Sequence, residues 1–348
     1  MSVLPMSSND LTAVDYDPFA HGELSRVVPT TEPQREIWLA NQLSTVAALS
    51  FNLSVSLRLM GALNVEALSS ALQELVDRHD ALRASFGPDG ETLCIRQQLT
   101  LSLPLHDLAG IEGIEQERAV AEHLRASVET PFVIESDPLF RAVLLRLSGD
   151  RHQLVLSAHH LVCDGWSWWV IVRELGTLYA RHAGTTLPAL PDAEDYTDYA
   201  IAELARPSTP EYQADEAFWL SKYAHDIPVL DLPTDRARPA RRSFASARVD
   251  HTLDTELTSA LRRLGARRGA SLFATLLAGF SGLLSRLTGQ ESVVVGIPAA
   301  GQSQGGHADL VGHCVNTLAL RFDVETAQTF ATAIERAQEG ARKQGAAG

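Results

Sequence analysis

The chain has 348 residues, which is enough for two ordinary domains or for one large unit of two lobes. Hydrophobic residues make up 45% and charged residues 21% of the sequence, as in a folded globular protein rather than a disordered one. The formal net charge of −14 argues against nucleic acid or an anionic membrane surface as the main partner.

The three cysteines, Cys94, Cys163 and Cys314, are widely spaced, and no Cys/His grouping has zinc-site spacing. Neither a disulfide framework nor a structural metal is therefore predicted, and a reducing, cytoplasmic location fits best. The N-terminal residues lack the basic start and apolar core of a signal peptide. The most apolar segment, SLFATLLAGFSGLL, is too short and too rich in Ser and Thr to span a bilayer.

Residues 1–27 are polar and acidic without apolar periodicity, which indicates a leader, a linker or a docking segment. Thr31 and Pro33 open a short helix, alternating apolar residues over 51–59 predict a strand, and Asn64 caps the next helix. Further predicted elements of this half are strands over 84–86, 92–96, 139–147 and 152–158, and helices over 114–128 and 168–182, the last capped by Ser167.

A Pro- and Asp-rich stretch over 185–195 is the best internal boundary, and it predicts an N-terminal lobe over 28–190 and a C-terminal lobe over 191–348. The second half predicts helices over 212–224, 255–268, 272–287 and 326–343, and strands over 247–253, 292–298 and 314–322. Because helices and strands intermingle in both halves, the fold class predicted is α/β (α+β sandwich) in two lobes of similar build.

One segment stands out for chemistry: HHLVCDGWS, residues 159–167. The sequence has no P-loop, no G-x-G-x-x-G after a strand and no H-E-x-x-H, so the usual nucleotide and zinc sites are not predicted. Cys163 lies inside the segment, but nothing marks it as a nucleophile.

Three interpretations of this segment remain open from the residues alone. It can be an ordinary turn at a strand end. A metal site fits poorly, because adjacent residues leaving a strand point to opposite faces. In the third interpretation one histidine faces the core and its neighbour faces a channel, Gly165 permits a tight turn, and Asp164 anchors the loop in a buried ion pair. A channel-facing imidazole suits general-base catalysis or the positioning of a nucleophile.

Several separated segments resemble, in order, the motifs of the condensation domains of nonribosomal peptide synthetases. They are TTEPQREIWLA (30–40), RHDALRASF (78–86), HHLVCDGWS (159–167), YTDYA (196–200) and VGHCVNTLALR (311–321), with LPTDRARP (232–239) and GIPAAGQ (296–302) between them. The resemblance covers residues 28–348. Two further motifs of the family do not follow the final helix, so we expect an incomplete C-terminal lobe.

The resemblance implies two chloramphenicol-acetyltransferase-like lobes in a V arrangement, with the active site between them. Donor and acceptor carrier proteins would present substrates tethered to phosphopantetheine, and the acceptor amine would attack the donor thioester to form an amide. The domain itself would bind no cofactor and no metal. Its partners would include adjoining synthetase modules of adenylation or polyketide synthase type, and neither nucleic acid nor membrane.

The resemblance also implies roles for single residues. His160 would be catalytic, as the base or the positioning group for the amine, while His159 faces inward and supports the loop. Asp164 would be structural and paired with an arginine, for which Arg83 is the candidate. Gly165 would let the loop close and offer its N–H to the oxyanion. Gln302 stands where many members carry an arginine, which is a departure from the family pattern.

Three residues are candidates for the substrate tunnel: Trp166, Ser167 and Asn316. Aromatic residues at the start of a helix more often belong to the core, and Asn316 can equally well satisfy the backbone. Two alternatives to the carrier-dependent enzyme remain. One is an acyl-CoA-dependent small-molecule acyltransferase of the same superfamily, and the other is a non-catalytic interaction module. The flanking motifs favour the carrier-dependent enzyme.

Overall fold

The computed structural model describes residues 17, 19–20, 22–225, 227–240, 242–302, 306–325 and 328–345. The leader predicted over 1–27 lies mostly outside these residues. Helices and strands intermingle throughout the described ranges, which confirms the α/β class. None of the described helices combines the length and apolar character that a membrane crossing requires.

The elements follow one another in mixed order. The strands are β1 (Leu24–Pro29), β2 (Asn52–Met60), β3 (Ala84–Phe86), β4 (Thr92–Arg96), β5 (Leu105–Asp107), β6 (Phe140–Arg146), β7 (Arg151–His159), β8 (Ser292–Ala300) and β9 (Val315–Asp323). The helices are α1 (Glu32–Asn41), α2 (Thr45–Leu49), α3 (Val65–Arg78), α4 (Ile114–Glu129), α5 (Gly165–His182), α6 (Tyr196–Ala205), α7 (Pro210–Lys222), α8 (Thr255–Ala266), α9 (Leu272–Thr288) and α10 (Phe330–Gly345).

The strands form three sheets. One has the order β1-β4-β3 and is antiparallel, and the second has the order β2-β7-β6-β5, in which only the β5–β6 pair is parallel. The third is the antiparallel pair β8–β9, with Ser292 opposite Asp323 at one end and Ala300 opposite Val315 at the other. β7 is a central strand of the second sheet, so the residues at its end are held from both sides.

Two buried clusters of apolar side chains fill the interior. The smaller one joins α9, β8, β9 and α10. The larger one lies between the first two sheets, α3 and α5, and it also contains Tyr196 and Ala200 of α6 and Leu310, Val311 and Cys314. The division at residue 190 stays a prediction, but segments beyond that residue complete the first core.

The helix ends follow local rules that the sequence displays. The side chains of Asn64, Asp254 and Ser271 accept the first free backbone N–H groups of α3, α8 and α9, as predicted. Gly289 ends α9 with φ of 72°, in the left-handed region that favours glycine.

Five elements differ from the prediction. β1 begins at Leu24, inside the predicted leader, because β4 supplies an antiparallel partner for it. No strand forms over 247–253, where Val249 is 93% exposed and the alternating pattern finds no neighbouring strand. α6, with the short helix α2 and strand β5, was not predicted.

Asp80 joins two of the motif segments. Its carboxylate is 4% exposed and accepts the backbone N–H groups of Ala81, Tyr196 and Thr197, at 2.8, 2.7 and 3.0 Å, and the Thr197 hydroxyl at 3.0 Å. Residues 78–86 thereby hold the first turn of α6 against the first core. This places Tyr196 where its hydroxyl donates to the backbone carbonyl of His313.

We expect Asp80→Ala to destabilise the chain because it leaves these donors buried without an acceptor. Each such group costs about 1–3 kcal/mol, so the melting temperature should fall by roughly 5–10 °C. The control is Asp192→Ala, an exposed aspartate of the segment that leads into α6, and its melting temperature should match wild type. Equal values for the two variants in thermal unfolding would contradict the role given to Asp80.

Candidate active site

The candidate site is built on the end of β7 and the turn that follows it. The His159 N–H donates to the Leu139 carbonyl at 3.0 Å, and the His160 N–H donates to the Phe51 carbonyl at 2.8 Å. The Leu161 carbonyl accepts from Nε2 of buried Gln34, at 2.9 Å. The first motif segment, which contains Gln34, therefore holds the turn that presents the histidines.

His159 faces the interior. It is 1% exposed, its Nδ1 accepts the Leu161 N–H at 3.3 Å, and its Nε2 lies 3.1 Å from the Asn41 amide. Burial, with smaller contributions from His160 and His313, lowers its pKa to about 3. His159 is therefore a neutral, buried support of the turn.

His160 points the other way and is half-buried. Its Nδ1 lies 3.1 Å from Nδ1 of His313, and the two rings meet edge to face with centroids 4.9 Å apart. Its Nε2 has no hydrogen-bond partner among the described residues, and unlike the Nδ1 atoms of His79 and His152 it is not shut off from solvent. One ring nitrogen is thus held by the protein, and the other is open to solvent.

His313 was not predicted as a site residue, although it lies inside the fifth motif segment. It is 5% exposed, and burial lowers its pKa to about 3, aided by His160 and opposed by Asp164. It lies close to His160 because residues 310–314 enter the first core. The two histidines are 153 residues apart in the chain, so no local sequence pattern predicts their contact.

Asp164 is fully buried and acts as the N-cap of α5. One carboxylate oxygen accepts the Ser167 N–H and hydroxyl, both at 2.8 Å, and the other accepts Nε2 of Gln302 at 2.9 Å and the Cys314 N–H at 3.1 Å. In the part of the chain that the structure describes it forms no ion pair. The predicted arginine pair is wrong here, because Gln302 occupies the place of the cation.

Arg83, the predicted partner of Asp164, lies elsewhere. It donates to the backbone carbonyls of Val76 and Asp77, both at 2.6 Å, and to that of Arg96 at 3.1 Å. These are carbonyls near the end of α3 and on β4, where a cation is favoured by the helix dipole. Arg83 therefore stabilises the second motif segment and does not reach the site.

Ser167 does not line a tunnel and does not cap α5. It is fully buried, the single hydrogen of its hydroxyl is shared between Asp164 and the Gly312 carbonyl, and its oxygen accepts the Gly312 N–H at 3.0 Å. A side chain at Gly312 would overlap the ring of Tyr196, 2.0 Å from the position of a Cβ atom. Glycine is required there because α5 and α6 close on residue 312 from two sides.

Gly165 is the first residue of α5 and is exposed. It does not adopt a left-handed conformation, and a Cβ atom there would contact no other atom. The prediction that the turn depends on glycine at this position is therefore wrong. Trp166 is half-buried and donates Nε1–H to the Ala308 carbonyl at 2.8 Å, which ties the start of α5 to the segment before His313.

Asn316 lies on β9 and is exposed, and its Oδ1 accepts the N–H of Thr317 at 2.8 Å. It lines a cleft of about 340 Å³ together with Tyr199, His307 and Cys314. Because Cys314 follows His313 directly, this cleft borders the segment that carries the second imidazole.

Other chemistry finds little support at this site. Cys163 is fully buried, and burial together with Asp164 raises its pKa, so the thiolate is strongly disfavoured. No group of three or more His, Cys, Asp or Glu side chains in the described ranges is arranged to hold a metal ion. The two imidazoles that meet are those of His160 and His313, and Asp164 joins the segments that carry them.

Comparison with known proteins gives the family. The model of the Condensation domain matches residues 24–346, which is most of the chain. The chain belongs to this family. It is 36% identical over 329 residues to a plipastatin synthase of Bacillus subtilis (strain 168), a match that covers 94% of this chain and 12% of that protein. A surfactin synthase of the same organism is 36% identical over 333 residues, covering 95% and 9%.

Solved structures of similar proteins have the same fold. The first condensation domain of the CDA synthetase matches with a TM-score of 0.78 and 26% identity, covering 92% of this chain and 76% of that one. The SgcC5 protein of Streptomyces globisporus matches with a TM-score of 0.75 and 26% identity, covering 92% and 73%. The predicted chloramphenicol-acetyltransferase-like fold is confirmed, and the chain spans about an eighth or less of the synthetases it matches.

We expect Asp164→Ala to lower stability by about 3 kcal/mol or more, because it removes the cap of α5 and strands the donors of Ser167, Gln302 and Cys314. Asp309→Ala is the control, since it breaks only the half-exposed contact with Arg173, 2.6 Å long. Urea unfolding of both variants decides. Surface substitutions usually change the free energy of unfolding by no more than about 0.5 kcal/mol. A loss of that size in Asp164→Ala would contradict the anchoring role of Asp164.

The buried neutral state of His159 predicts a pH-dependent stability. Its pKa is about 3 in the folded chain, against about 6.5 when unfolded, so below pH 6.5 the unfolded chain binds the extra proton. Stability contributed by this residue is complete above pH 6.5 and is lost as the pH falls toward 3. Between pH 6 and 4, His159→Asn should lose about 1.4 kcal/mol less per pH unit than wild type in urea unfolding.

The matched control is His225→Asn, because His225 is exposed and lies in neither buried cluster. Its unfolding free energy should follow the wild-type curve. Parallel curves for wild type and His159→Asn over this pH range would show that His159 becomes protonated in the folded chain as readily as in the unfolded one.

Proposed function

We propose that the chain catalyses amide formation between an acyl or aminoacyl thioester donor and the amine of an aminoacyl acceptor, each tethered to a carrier protein. The observation that carries the proposal is the accessible Nε2 of His160, on an imidazole whose Nδ1 is already held by His313. Membership of the condensation-domain family supports the same reaction.

The reaction uses one lone pair on the protein. The amine nitrogen attacks the thioester carbonyl carbon while Nε2 of His160 accepts a proton from the amine or holds the amine in line. The tetrahedral intermediate then expels the thiolate, the C–S bond breaks, and the thiolate takes up the proton. The backbone N–H of Gly165, at the N-terminus of α5, has no intrahelical acceptor and is the donor that we assign to the developing oxyanion.

We assign phosphopantetheine-tethered substrates and two carrier domains as partners, together with adjoining synthetase modules. The synthetases that match the chain support this assignment. The domain itself would use no bound cofactor, and the reaction would take place in the cytoplasm. Asp164, His159 and Ser167 would act on the position of His160, while Trp166 and Asn316 would lie along the substrate path.

The test compares carrier-bound and free acyl-CoA donors, and it compares wild type with a variant that lacks the His160 imidazole. With a donor on a phosphopantetheinylated carrier, single-turnover amide formation should fall about 10²-fold or more in His160→Ala, because general-base catalysis of this kind contributes about that much. The melting temperature should change little, since only a half-buried ring is removed. His225→Ala, which removes an exposed imidazole, is the control and should retain the wild-type rate.

The same assay separates the alternatives. Turnover of free acyl-CoA that equals or exceeds turnover of the carrier-bound donor would favour the small-molecule acyltransferase. A folded wild-type chain that forms no amide from either donor would favour the interaction module. An active His160→Ala beside an inactive, folded Asp164→Ala would make the aspartate the chemical residue.

A further inference from the structure

His160 has a second imidazole against it, and this contact requires a choice of tautomer. The two Nδ1 atoms lie 3.1 Å apart, so one of them carries the proton and the other supplies the lone pair. If His313 donates, the only lone pair of neutral His160 faces His313, and its Nε2 carries a hydrogen. If His160 donates, its Nε2 lone pair is free.

We propose that His313 is a positioning residue for His160, whose Nδ1–H it accepts, so that the Nε2 lone pair of His160 faces the substrate amine. The inference rests on the proposed function, because amide formation needs an acceptor at the accessible nitrogen. The same hydrogen bond fixes the orientation of the His160 ring and stabilises that ring once it has taken the proton of the amine.

His313 suits this role because it stays neutral. Only 5% of the residue is exposed, and burial lowers its pKa to about 3, so it keeps its lone pair at neutral pH. It therefore does not compete with His160 for the proton. Its own proton then lies on Nε2, an atom that is not shut off from solvent.

The surroundings hold His313 in place from several elements. The hydroxyl of Tyr196 donates to its backbone carbonyl at 2.8 Å, and the next N–H in the chain, that of Cys314, donates to Asp164. The titratable groups that face the pair are His159, Asp164, Cys314 and Tyr196. Burial keeps His159 neutral and raises the pKa values of Cys314 and Tyr196, so Asp164 is the group that brings negative charge.

The direct test is the tautomer itself. Histidine labelled with 15N in the 348-residue chain, with His160 assigned by comparison with His160→Ala, separates protonated from unprotonated ring nitrogens in an NMR spectrum. We expect Nδ1 of His160 to carry the proton and Nε2 to be unprotonated at neutral pH. A proton on Nε2 with an unprotonated Nδ1 would overturn the proposal. This measurement needs no substrate, so it stands even if the proposed reaction fails.

The variants test the consequence for the reaction. His313→Asn places an oxygen at about the position of Nδ1 and should keep kcat within about 3-fold of wild type, whereas His313→Phe fills similar space without an acceptor. His313→Gln is the matched control, because it places its polar atoms at about the position of Nε2. We expect kcat of His313→Phe and His313→Gln to fall by at least about 10-fold, with little change in KM for the acceptor.

If His313 had only a structural role, the variants would differ in stability, and their kcat values would not show His313→Asn above His313→Phe and His313→Gln. If His313→Phe is folded and as active as His313→Asn, the acceptor at Nδ1 has no function and the proposal fails. If His313→Phe does not fold, the comparison of His313→Asn with His313→Gln decides in the same way. An inactive wild type with the expected His160 tautomer would count against the proposed reaction and leave the positioning of His160 supported.

Discussion

The arrangement of the site depends on one buried carboxylate, that of Asp164. Its two oxygens accept from Ser167 on α5, Gln302 after β8 and Cys314 before β9, so one side chain joins segments that are about 140–150 residues apart in the chain. Removal of the carboxylate from water is compensated by four donors and by the N-terminus of α5 rather than by a counter-charge. The junction holds the segment that carries His313 beside the start of α5, which follows the turn that carries His160.

A neutral partner changes what the junction can do. An arginine beside Asp164 would place a full charge next to two imidazoles, whereas the amide of Gln302 adds none. The amide also has a cost, since its Oε1 is buried without a hydrogen-bond partner among the described residues. The interior around the histidine pair therefore contains one negative charge and several neutral groups. Burial keeps His313 unprotonated there, although the charge of Asp164 acts in the opposite direction.

Much of the fold could be predicted from the sequence because its signals are local. The caps Asn64, Asp254 and Ser271 lie within a few residues of the N–H groups they accept, and β2 carries its alternation along one strand. The prediction of a strand over 247–253 was wrong because an alternating pattern does not supply a neighbouring strand to pair with. The partners of Asp164 and the contact between His160 and His313 could not be predicted, because they depend on where a distant loop enters the core.

The entry of residues 310–314 into the first core has a consequence for how the chain is made. Leu310 and Val311 are buried among side chains from the first half of the sequence, and Tyr196 closes on Gly312 from α6. A chain synthesised from its N-terminus cannot complete this core until residue 314 has left the ribosome. Until then the apolar surface that Leu310 and Val311 cover stays open to chaperones and to aggregation, and the histidine pair does not yet exist.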